Sequence, residues 1–87
     1  MAERQPTKWE KDMGSRIKEL RLAKGWTQAQ LAAEAGVQLD TLRQWERGRR
    51  TPLLDAAALL AKGLGCTVGQ LAGTEPMPKL AKTRKGE

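Results

Sequence analysis

Between Trp26 and Gly48 the chain twice spells out the beginning and end of a short helix, and only Gly36-Val37-Gln38 separates the two. Thr27 with Gln30 three positions on is a capping box, in which each side chain serves the other residue's backbone amide. Trp26 and Leu31 bracket it as a hydrophobic staple. Leu31, Ala32 and Ala35 supply an apolar side and Gly36 is the stop, which predicts a helix from Gln28 to Ala35. The next apolar pattern, LDTLRQWE, predicts a second helix from Leu39 to Arg47, ended by Gly48. So short a connection, with a glycine in it, makes the two helices cross steeply instead of lying antiparallel.

The flanking segments read as helices too. Trp9, Met13, Ile17 and Leu20 fall at steps of four and three, a helical stripe, and Gly25 closes it after Lys24. Thr7 and Glu10 have capping-box spacing, so this first helix starts either near Lys8 or, with Gly14 weakening its early turns, near Gly14 itself. After a loop through Pro52, Leu53 to Leu64 predicts a fourth helix with Leu54, Ala57, Ala58, Leu60, Ala61 and Leu64 turned inward. Thr67 and Gln70 repeat the capping box and start a fifth helix that reaches Ala72. The expected organisation is a flexible or partly helical extension over 1–12, one domain over 13–73 and a disordered basic tail over 74–87. The fold class is all-α, with no strand pattern in competition.

At 87 residues there is room for one small domain, and the net charge of +6 points to nucleic acid or another anionic surface. Histidine and tyrosine are absent and there is one cysteine, Cys66, which excludes His-dependent general base chemistry and a zinc ligand cluster. Cys66, among small and apolar neighbours, is expected to pack as a small hydrophobe. The expectation is a non-enzymatic, cytoplasmic protein with no cofactor, no metal and no membrane association.

RQWERGRR, residues 43–50, holds four arginines and one acid. At about 100° per residue, Leu42 and Trp45 share one side of the third helix, while Asp40, Arg43, Gln44 and Arg47 share the other. A carboxylate, an amide and guanidiniums are groups that hydrogen-bond base edges, although a solvated helix face has the same composition. Arg47, Arg49 and Arg50 flank the helix end, where a docked duplex brings phosphates. Thr27, Gln28 and the exposed amides at the start of the second helix suit a phosphate as well. Glu46 falls near Leu42, on the inner side. It either pairs with Arg21 of the first helix in a partly buried salt bridge or offsets its arginine neighbours at the surface.

Taken together, TQAQLA, WERGRRTP and LAKGLG resemble the Cro/lambda-repressor-type helix-turn-helix domain, the XRE family, over about Gly14 to Gly73. The resemblance implies a compact five-helix bundle that binds double-stranded DNA, commonly as a homodimer. It implies base reading by Gln38, Leu39, Asp40 and Gln44, a DNA contact by Gln28, and an Arg21–Glu46 pair tying the first helix to the third. Gln38 departs from the Ser or Thr that usually caps the reading helix, and Gly63 from a typical alanine. The expected function is a sequence-specific transcription regulator, a repressor acting by promoter occupancy. The alternative is an antitoxin-like or bridging module whose main partner is another protein.

Overall fold

In the computed structural model, which describes residues 7–77, the order is α1 (Lys8–Ala23), α2 (Gln28–Ala35), α3 (Leu39–Glu46), α4 (Leu54–Leu64) and α5 (Val68–Ala72). Thr7, Thr27 and Thr67 each cap a helix through a reciprocal box with Glu10, Gln30 and Gln70. The Thr27 amide donates to Gln30 Oε1 at 2.7 Å and the Gln30 amide to Thr27 Oγ1 at 3.1 Å. The Thr7–Glu10 box starts α1 at Lys8, the earlier of the two starts, so residues 8–12 of the expected extension are helical. Gln38 makes no capping bond, yet α3 still starts at Leu39. The remaining extension, 1–6, and tail residues 78–87 lie outside the described residues.

Each helix contributes one fully buried branched side chain to a shared centre: Ile17, Leu31, Leu42, Leu60 and Leu71. Burial of such a side chain is worth about 1.5–3 kcal/mol, so none of the short helices has to be stable alone. Met13, Leu20 and Trp45 extend this core, and Trp26, Val37 and Leu39 pack at its edge. Cys66 is partly buried against it, as expected; burial pushes the thiol up, and Lys24 pulls it the other way. No helix among the described residues is long and apolar enough to cross a membrane.

Three expectations about burial need correction. Leu54 is 75% exposed and Ala58 is exposed. The inner arc of α4 is centred on Ala57, Leu60, Ala61 and Leu64, which leaves positions 54 and 58 at its margin. Trp9 is 50% exposed. The first turn of α1 is covered at Glu10 and Lys11 by Gly48, and Trp9 points round to the uncovered side. The start of the expected disordered tail is also ordered. Thr74 and Glu75 donate backbone bonds to Gly69 O at 2.9 and 3.1 Å, Thr67 Oγ1 donates to Glu75 Oε1 at 2.6 Å, and Met77 packs on the core.

Gly14 fixes how closely α1 and α3 approach. A Cβ there would lie 2.5 Å from the Trp45 carbonyl oxygen and 2.6 Å from that of Glu46, both backbone atoms that cannot step aside. Gly63 on α4 is different, since its added Cβ would meet Glu34 Cγ at 3.7 Å and Ala35 Cα at 3.9 Å, ordinary contact distances. Gly14→Ala is therefore expected to cost about 1–3 kcal/mol through overpacking, although alanine is the better helix former by about 1 kcal/mol. Gly63→Ala is expected to raise stability by about 0.5–1 kcal/mol. Urea unfolding of the two variants checks this. A stabilised Gly14→Ala protein would show that the helices are not seated backbone to backbone.

Candidate nucleic-acid interface

α3 is held at its inner side by one ionic junction. Arg21 reaches Glu46 through two parallel bonds, Nε to Oε2 at 2.7 Å and Nη2 to Oε1 at 3.1 Å. The two side chains are only 8% and 4% exposed. Nη1 of Arg21 donates to the Trp26 carbonyl at 2.8 Å, and Gln28 Nε2 donates to Glu46 Oε1 at 3.1 Å. Of the two placements open to Glu46, the structure takes the buried pair. The fork geometry suits arginine, because planar guanidinium and carboxylate meet at two points. With four donors and three acceptor atoms engaged, α1, the start of α2 and the end of α3 meet around one carboxylate.

The connection between α2 and α3 follows from its residues. Gly36 takes φ +73, and Val37 and Gly36 donate back to Ala32 O and Ala33 O at 2.9 and 3.3 Å, so the chain leaves α2 in one turn. The end of α3 repeats the arrangement at Gly48, with φ +76. Gly48 donates to Trp45 O and Arg49 to Gln44 O, both at 3.0 Å. That closure brings the segment after α3 back alongside the helix.

On the outer side of α3, Asp40 and Arg43 are exposed and Gln44 is half-buried. An open crevice of roughly 290 Å³ is lined by Asp40, Thr41, Gln44 and Arg50. Arg50 thus stands nearer the outer face of α3 than its place beyond the helix end suggested. Gln38 is exposed; Leu39 is half-buried and packs on the core, leaving only part of its side chain outward. Arg47 and Arg49 are exposed on the turn.

At the start of α2, Thr27 is exposed, but its side-chain oxygen already accepts from Gln30. Gln28, expected as a DNA contact, is half-buried and its side-chain amide donates to Glu46. No local sequence signal marks that bond, because the spacing from Gln28 to Glu46 has meaning only once α2 and α3 cross.

Residues 17–71 match the family described as Helix-turn-helix. The HTH-type transcriptional activator BcrR of Enterococcus faecalis is 28% identical over 72 residues, 83% of this chain and 35% of that protein, so the chain spans about a third of this curated relative. The crystal structure of the restriction-modification controller protein C.AhdI from Aeromonas hydrophila is similar at 34% identity, covering 70% of this chain and 92% of that one with a TM-score of 0.68. The clp gene regulator ClgR from C. glutamicum is similar at 26% identity, 80% and 94% coverage and a TM-score of 0.68.

Removing Glu46 strands a buried guanidinium, so Glu46→Ala is expected to cost about 3–5 kcal/mol in urea unfolding. The double change Arg21→Met with Glu46→Leu should cost less than Glu46→Ala alone, since neither charge is then left without its partner. A loss below about 1 kcal/mol for Glu46→Ala would mean that the junction is not what seats α3.

Proposed function

This chain belongs to the helix-turn-helix family of DNA-binding transcription regulators, and from that footing we propose that it is a sequence-specific, cytoplasmic, non-enzymatic duplex binder that represses by occupying a promoter, with α3 in the major groove. One observation carries the reading. The side chains of Asp40, Arg43, Gln44, Arg47, Arg49 and Arg50 have no hydrogen-bond or ion-pair partner within the described residues, while Glu46 on the inner side of the same helix accepts three bonds. Their capacity is therefore open to a ligand that offers both base edges and phosphates.

The roles divide by chemistry. Gln44 presents a donor and an acceptor that match adenine, Arg43 a fork that matches guanine, and Asp40 an acceptor for a cytosine amino group. Gln38 and the outward part of Leu39 border this set, Leu39 as a contact for a thymine methyl group. Arg47, Arg49 and Arg50 supply phosphate contacts, which give affinity and register without sequence choice. At the start of α2 the amides of Gln28 and Ala29 make no bond within the described residues, which supports a phosphate there. Thr27 would assist through its hydroxyl proton, and Gln28 through its backbone in place of its side chain.

Leu53 and Leu54 are 78% and 75% exposed beside Pro52, which supports a second copy of the chain as the partner at this edge. Two copies would read half-sites about one helical turn apart on a two-fold symmetric operator. Occupancy is sufficient for repression, whereas BcrR, of which this chain spans 35%, is a transcriptional activator.

Selection of bound duplexes from a random pool is expected to yield a two-fold symmetric motif; failure to enrich any motif would favour the protein-interaction alternative. In salt titrations Arg49→Ala should weaken all duplexes alike and flatten the slope by about 1. Gln44→Ala should instead change the preference among sites, by about 1–3 kcal/mol at one base pair. If both variants bound as the parent does, this docking would be wrong.

A further inference from the structure

The turn after α3 does not end the basic surface; it hands it to α1. A Cβ built on Gly48 would lie 2.9 Å from Lys11 Cα and 3.2 Å from Lys11 N, so the two backbones are in direct contact. Gly48 stands between the exposed Arg47 and Arg49, and Lys11 is exposed beside it. Gly14, one turn further along α1, is pressed on the Trp45 and Glu46 carbonyls, so this part of α1 is fixed to the end of α3 at two successive turns.

The neighbouring charges are accounted for. Lys8 is neutralised by Asp12 at 2.9 Å, and the Glu10 carboxylate accepts from the Thr7 amide at 2.8 Å. The side chain of Lys11 has no hydrogen-bond or ion-pair partner within the described residues, and neither have those of Arg47 and Arg49. The backbone contact at Gly48 thus sets three unpaired, exposed cationic side chains on neighbouring stretches of chain. A phosphate backbone that releases its counterions would repay that arrangement.

From this juxtaposition we propose that Lys11 is a further phosphate contact, so that the surface gripping the duplex backbone continues from the turn at Gly48 onto α1. Lys11 lies ahead of the family match, which begins at residue 17, so the resemblance to the family does not assign it. Its flexible four-carbon stem carries a point charge suited to a phosphate and not to base discrimination. The inference rests on the duplex-binding reading and adds a residue outside its recognised boundaries.

The test is a salt titration of the full chain on its selected duplex, comparing the parent with Lys11→Ala, Lys11→Glu, Arg49→Ala and Lys62→Ala. Lys62 is an exposed lysine on α4 and controls for net charge. Lys11→Ala is expected to flatten the salt slope by about 1, as Arg49→Ala does, and to weaken matched and mismatched duplexes by the same factor. Lys11→Glu should weaken binding further, with the thermal midpoints of both Lys11 variants close to that of the parent. An unchanged slope in both Lys11 variants while Arg49→Ala flattens it overturns the inference and leaves the duplex-binding reading standing. Equal flattening by Lys62→Ala also overturns it, by reducing the effect to net charge. A parent chain that binds no duplex overturns both.

Discussion

A carboxylate that is 4% exposed cannot sit in a small bundle unless its charge is met, and the orientation of α3 follows from how Glu46 meets that demand. Two bonds to one guanidinium fix direction as well as distance, and a third donor, from Gln28, adds a second bond to Oε1. The junction gathers three helices whose side chains otherwise meet only through non-directional apolar contact. Apolar burial sets how much free energy holds the bundle together, while this carboxylate sets the angle at which α3 is held.

The same division of labour shows how a chain of this size affords a reading surface. Side chains at the outer face of α3 must stay unbonded to be useful, so nothing on that face can help to hold the helix in place. All restraint has to come from behind: Leu42 and Trp45 in the core, Glu46 in the junction, and the carbonyls of residues 45 and 46 against Gly14. Arg43 and Gln44 are free to search for partners because their immediate neighbours in sequence are not.

Much of the fold was legible in the sequence because much of it is local. A capping box and a terminal glycine bounded α2 and α5 to the residue, since the groups they satisfy lie within one turn. Glu46 and Arg21 could be placed by helical angle, although angle alone left a surface position open. Leu54 and Ala58 were misplaced because the angle of a residue says which way it points and not whether another helix is there to cover it. Gln28's bond to Glu46 and Lys11's approach to Gly48 were illegible for a related reason. The first depends on how α2 and α3 cross, and the second on the close approach that the missing side chain at Gly48 allows. The order at Thr74, Glu75 and Met77 likewise depends on α5 already being in place.

Three helices carry their own starting signal and two do not, and α3 is one of the uncapped pair. Eight residues without a cap fall well below the length at which a helix survives alone in water. α3 therefore exists only while the bundle around it exists. Local opening or unfolding removes the α3 surface completely, so a partly unfolded copy of the chain does not present it. The outer face of α3 is acquired through folding, and the fraction folded sets the concentration of chains that present it.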